Sequence, residues 1–199
     1  EPSLEKCLYK IYGGDYTQND ESGDAFLYLQ ELKKHCQTNG VNFVFNTSIN
    51  SLIKTNNRIS FIKATDGKNN NITYIPDAVI VCLGSYTHHL MKSLKIYAPI
   101  YPIKGYSASF DIEDHLLINK ISLTSSDSKI VYTKIGNTLR VAGTAEFNGY
   151  NIERNPIREN ILLNETKKMF PKGLNYGNVK YWNGLRPSTP SNIPIIGKS

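Results

Sequence analysis

Arg186 is the residue whose setting points most directly to chemistry. It follows Gly184 and Leu185 and is followed at once by Pro187, with Pro190 and Pro194 further along the run GLRPSTPSNIPIIG, Gly184 to Gly197. Each proline fixes φ, removes a backbone donor and biases the residue before it toward extended backbone, so the run is stiff and can hold a guanidinium at a set angle without a helix. A planar guanidinium grips a carboxylate through two parallel charge-assisted hydrogen bonds, a geometry that lysine does not reproduce. The bland alternative is a surface arginine in a proline-rich turn.

The rest of the composition narrows the field more than it identifies anything. The chain has 199 residues, enough to bury a real core in one large domain or two small ones. Its net charge of +6 comes from scattered lysines and arginines, paired only at Lys33-Lys34 and Lys167-Lys168, so no basic stripe suggests nucleic acid. Cys7, Cys36 and Cys82 show no metal-ligand or disulfide spacing, which indicates a reducing compartment and no metal site. His88 and His89 are adjacent on an expected helix and point in different directions, so they do not form a metal pair. The longest apolar runs, such as Ala78 to Leu83, fall far short of the roughly 20 residues needed to cross a bilayer. Glu1 and Glu5 stand where a secretory leader would carry basic residues.

The elements that must position these residues follow from periodicity and punctuation. Asp24 is placed to cap a helix over Ala25 to Thr38, stopped by Gly40. Strand-like segments follow at Val41 to Phe45, Ile49 to Thr55, Arg58 to Thr65 and Asn71 to Ile75, with turns at Thr55-Asn56-Asn57 and Asp66-Gly67. Asp77 to Leu83 reads as a buried strand, because its apolar residues run on without alternation. It closes on Gly84-Ser85 and a helix over Tyr86 to Leu94, a strand–glycine–helix turn that can admit a phosphate or a ring, although a plain tight turn also accounts for Gly84. A long strand is expected over Tyr101 to Asp111. Beyond it lie a hairpin across Gly136-Asn137, a helix opened by Asn155-Pro156 and reaching Phe170, and a final strand, Val179 to Asn183, that delivers Arg186. The expectation is an α+β fold with a mixed, mainly antiparallel sheet.

The run GLRPSTPSNIPIIG resembles the GLRP segment of FAD-dependent oxidoreductases of the D-amino-acid oxidase superfamily. GGDYTQNDESGDAFLY at Gly13 to Tyr28, CLGSYT at Cys82 to Thr87 and YPIKGYS at Tyr101 to Ser107 resemble the D-amino-acid dehydrogenase branch in the same order, nearly end to end. The resemblance implies hydride transfer from a D-amino acid Cα to FAD, with the imino acid then hydrolysed to a 2-oxo acid and ammonia. It implies Arg186 as the carboxylate grip and Tyr106 as an assisting hydroxyl, although for any one of thirteen tyrosines a sheet-face or core role is the plainer reading. It also implies cofactor contacts at Gly84, Ser85, Gly197 and Ile49, the last being a core residue on bland grounds.

The same resemblance divides the chain into a partial FAD-binding domain at 1–93, a substrate-binding domain at 94–181 and a return segment at 182–199. It departs from the family where a GxGxxG turn should hold the FAD pyrophosphate, since no GxG occurs in the sequence. The expectation is therefore a central portion cut at both ends, binding FAD weakly or not at all alone and completed in trans by a dinucleotide-binding segment. A cytoplasmic location is implied, with peripheral attachment at the inner face of the cell membrane through the electron acceptor as the alternative. The competing reading is a non-catalytic remnant or partner chain.

Overall fold

The computed structural model describes residues 2–198, which divide into two compact units: residues 2–31 with 103–185, and residues 32–102 with 186–198. The opening residues thus cluster with the later part of the chain and not with the strands that follow them in sequence.

In the first unit a five-stranded sheet has the order β5-β6-β7-β4-β8, with β4 Tyr101–Asp111, β5 Leu123–Ser125, β6 Ile130–Ile135, β7 Thr138–Glu146 and β8 Lys180–Ser188. The β5–β6, β6–β7 and β7–β4 pairs are antiparallel. The β6–β7 hairpin turns at Gly136-Asn137 as expected, and Gly136 takes the positive φ of 56° that glycine tolerates best. One face of the sheet is covered by α3, Pro156–Met169. Asn155 caps that helix by accepting the Ile157 N–H at 3.1 Å, Pro156 occupies its first turn, and Lys167 and Lys168 sit in its last turn beside the exposed carbonyls. The core beneath it holds Ala108, Phe110, Tyr132, Val141, Leu162 and Phe170. Helix and sheet approach so closely that a Cβ on Gly143 would meet Ile130 Cγ1 at 2.7 Å and Leu162 Cδ2 at 3.3 Å. The N-terminal residues are tied to the same helix by the Leu8 N–H to the Lys168 carbonyl, 2.8 Å, and by the Tyr9 hydroxyl to Glu165.

In the second unit β1 Thr47–Thr55, β2 Arg58–Asp66 and β3 Asn71–Tyr74 form an antiparallel meander. Asn56 and Asn57 both have positive φ, 48° and 63°, the left-handed pair that suits a two-residue hairpin turn. Asp66 holds the next turn by accepting the N–H groups of Lys68 and Asn70 at 2.8 and 2.9 Å. A 3-10 turn, Gly84–Tyr86, leads into the short α2, Thr87–Lys92. The buried apolar residues here are few, Leu52, Ala64, Leu90 and Ala98.

Helix α1, Ala25–Thr38, has the expected bounds, and Asp24 caps it through the Phe26 and Leu27 N–H groups at 2.9 and 3.1 Å. Its spaced apolar residues, however, are not buried. Three expectations are corrected. Val41–Phe45 and Asp77–Leu83 form no strand, because no described residue offers either segment a ladder to pair with. The last strand begins at Lys180 and does not stop at Asn183: it runs through Gly184, Leu185, Arg186 and Pro187 to Ser188, so Arg186 is carried on the strand itself. Proline is compatible with this because β8 is an edge strand.

Candidate active site

Alternation along β8 divides its side chains. Tyr181 packs against the core under α3, so Trp182 and Gly184 point to the other side of the strand, and Arg186 continues that set. The Trp182 indole lies down on Gly184: a Cβ there would sit 2.4 Å from Trp182 Cη2. This gives the glycine of GLRP a physical reason, since any side chain would lift the ring. The Arg140 guanidinium on β7 lies 5.8 Å from the Trp182 ring centre, within cation–π range. Neither residue is singled out by sequence spacing, because their meeting depends on the β7–β4–β8 strand order.

Arg186 is exposed, and no hydrogen bond or ion pair engages its guanidinium among the described residues. By contrast Arg154, also exposed, is held on Glu159 through two bonds of 2.5 and 2.7 Å. Arg186 therefore keeps its whole fork available to a carboxylate. Pro187 beside it meets the glycine turn: the position of a Cβ on Gly84 is 3.9 Å from Pro187 Cγ. Two stretches separated by a hundred residues of sequence are thus brought together within the second unit.

Gly84 has a φ of +53° and is exposed, so its backbone is open to approach, while Ser85 behind it is buried. Gly197 is exposed with nothing within 4 Å of a Cβ position. Ile49 stands on β1 opposite Ala64, partly exposed beside a bulge.

Tyr106 lies on the helix-covered face of the first unit, 3% exposed. Its hydroxyl donates to Glu146 Oε2, which also receives Lys104 Nζ at 3.0 Å. Lys104, 1% exposed, donates further to the Glu153 carbonyl at 2.9 Å, and Asn155 Nδ2 reaches Glu146 Oε1 at 3.2 Å. Donation by Tyr106, then by Lys104, holds the Glu146 carboxyl down at about 2. Burial, and next the bond to Glu146, raises the Tyr106 hydroxyl above the ordinary phenol range. For Lys104 burial is the largest influence and pulls downward, but the bonds with Glu146 and Tyr106 together leave the ammonium above its usual value. The network joins the sheet to the α3 cap and commits the Tyr106 hydroxyl to Glu146. In sequence the only visible part is the two-residue spacing of Lys104 and Tyr106; Glu146 joins them because it faces Lys104 across the β4–β7 register.

The described residues contain no cluster of His, Cys, Asp or Glu fit for a metal ion, and no described helix is long and apolar enough to cross a membrane.

The geometry can be set beside known proteins. The family model described as DAO, FAD dependent oxidoreductase, matches residues 1–199. The chain is 39% identical over 199 residues to the D-amino acid dehydrogenase of Dechloromonas aromatica, covering 100% of this chain and 48% of that one. It is 34% identical over 197 residues to the D-amino acid dehydrogenase of Paramagnetospirillum magneticum, covering 99% and 46%. The chain therefore spans about half the length of the curated relatives it matches. In fold it is similar to the L-proline dehydrogenase from P. horikoshii, with a TM-score of 0.72, 15% identity and coverage of 87% and 46%. It is also similar to the glycine oxidase from Bacillus cereus, with a TM-score of 0.61, 20% identity and coverage of 76% and 40%. From the match along its whole length and the relatives it shares residues with, the chain belongs to the DAO family of FAD dependent oxidoreductases.

Proposed function

We propose that this chain is the amino-acid-recognising part of an FAD-dependent dehydrogenase that converts D-amino acids to 2-oxo acids and ammonia. The single observation that carries the reading is Arg186, an exposed guanidinium without a partner among the described residues, standing on a strand within GLRP. Its role is to hold the substrate carboxylate by a two-pronged contact and so fix which face of Cα is presented. FAD, when bound, supplies the acceptor for the hydride that leaves Cα. Water then hydrolyses the imino acid.

The residues present fit that cofactor in part. Gly84, with its open positive-φ backbone, and Gly197 leave room for a flat ring to approach. A pyrophosphate needs several N–H groups converging at a helix N-terminus, and no glycine-rich strand–turn–helix is found among the described residues, where α2 has six residues. The isolated chain accordingly binds FAD weakly, and a dinucleotide-binding segment acting with it completes the enzyme. The five-stranded unit serves as the substrate domain and the three-stranded unit as part of the FAD domain. Location in the cytoplasm, with electrons passed to an acceptor at the inner face of the membrane, belongs to the same reading. The test is anaerobic bleaching of flavin absorbance when the assembled protein meets a D-amino acid. Bleaching by D- and not L-amino acids supports the reading; a flavin-loaded assembly inert to both would mark the chain as a non-catalytic partner.

A further inference from the structure

The face of the five-stranded sheet turned away from α3 carries a cation that no described carboxylate neutralises. On β4 Tyr106, Ala108 and Phe110 belong to the core beneath the helix, so Ser109 alternates to the other face. On β7 Leu139 and Val141 are the buried set, so Arg140 stands on that same open face, directly opposite Ser109 on β4 and Thr133 on β6. Residues paired in this way hold their Cβ atoms about 5 Å apart, so the three form a row across the sheet, hydroxyl, guanidinium, hydroxyl. At one end Thr133 Oγ1 is already bonded to Ser122 Oγ at 2.7 Å, and Ser122 to Ser22 Oγ at 2.8 Å. The Ser109 hydroxyl and the Arg140 guanidinium have no hydrogen-bond or ion-pair partner among the described residues. Asp111, two residues along β4 from Ser109, accepts instead from Asn178 Nδ2 at 3.4 Å. What Arg140 does meet is the Trp182 ring, 5.8 Å away. That ring is 60% exposed and rests on Gly184, so it offers a flat apolar surface beside the cation.

We propose that Arg140, Ser109 and Trp182 form a binding site for the carboxylate of a small organic acid, whose carbon frame lies on the indole. A carboxylate matches the planar guanidinium fork through two parallel bonds, and the Ser109 hydroxyl supplies a further donor. A phosphate group, with nearly twice the charge, calls for several cations or converging N–H groups at a helix N-terminus. This row has one cation, and α3 lies on the opposite face of the sheet. The Trp182 ring holds the guanidinium in place before the ligand arrives, which lowers the ordering cost of binding. All three residues belong to the first unit, whereas Arg186 belongs to the second, so the two guanidiniums are tested separately.

Trp182 is the only tryptophan in the chain, so its emission reports this site directly. The full chain is titrated with hexanoate at constant ionic strength, with hexan-1-ol and inorganic phosphate titrated in parallel. The expected result is a saturable change in emission with hexanoate, with a Kd on the order of millimolar, and no saturable change with the other two. Arg140→Gln should weaken hexanoate binding at least about tenfold, and Arg140→Lys and Ser109→Ala about three- to tenfold. Arg186→Lys should leave it unchanged. Circular dichroism checks that each variant is folded; should Arg140→Gln not fold, Arg140→Lys and Ser109→Ala carry the same comparison. Absence of a saturable change with hexanoate would overturn the proposal, as would hexanoate binding that is unaltered in the Arg140 and Ser109 variants. An equal response to hexan-1-ol would reduce the site to apolar contact with the indole, and an equal response to phosphate would make it a general anion site; either result also overturns it. Binding lost in Arg186→Lys and kept in Arg140→Gln would move the carboxylate grip to Arg186 alone.

Discussion

Arg186→Lys in the assembled flavoprotein separates a substrate grip from a packing residue. The side chain is exposed and makes no bond to a described residue, so the substitution removes no folded-state contact of the guanidinium. Surface changes of that kind alter stability by no more than about 0.5 kcal/mol, which for a chain of this size is a melting shift of about 2 °C or less. Lysine keeps the charge and loses the second prong, so the carboxylate can swing and Cα leaves its line. Loss of one bidentate charged contact costs about 2–4 kcal/mol, or about thirty- to a thousandfold in kcat/KM. The assay pairs kcat/KM on a D-amino acid with the melting temperature of the same preparation. Unchanged kinetics would refute the reasoning, and a melting point lowered by many degrees with kinetics intact would show that Arg186 serves packing alone.

Glu146→Gln should flatten the acid limb of stability. The folded carboxyl is held at about 2 against an ordinary 4.5, so the stability it contributes is full above about 4.5 and is lost as pH falls toward 2. The shift corresponds to about 3 kcal/mol at most, and partial exposure reduces it to about 1–3, read as the difference between denaturant midpoints at pH 6 and 2.5. Parallel curves for the two proteins over that interval would show that the network does not couple to folding. Gly184→Ala should lift the Trp182 indole and change its emission, at a stability cost of about 1 kcal/mol or less because the ring is exposed and can swing; an unaltered spectrum would mean that the ring does not rest there in solution. Asn155→Ala removes both the α3 cap and a bond to Glu146, and should lower stability by about 1–2 kcal/mol in urea unfolding.

Local signals determined much of this chain. Asp24 capping α1, Asn56-Asn57 and Gly136 turning hairpins, and Asn155-Pro156 opening α3 are decided by the conformations those residues favour within a few positions, so they can be read without knowing the fold. GLRP drew attention to Arg186, which stands exposed on β8. Pairing across distance was not legible in the same way. That β8 continues through Pro187, that Trp182 rests on Gly184 beneath Arg140, and that Glu146 gathers Tyr106, Lys104 and Asn155 all depend on strand order and register. Tyr106 shows the consequence: the resemblance of YPIKGYS implied an assisting hydroxyl, and only the fold shows that hydroxyl donating to Glu146 under α3. Val41–Phe45 and Ala78–Leu83 show the converse. Their composition fixes a preference for strand, but a strand exists only where another backbone answers its hydrogen bonds, and tertiary structure alone decides whether one does.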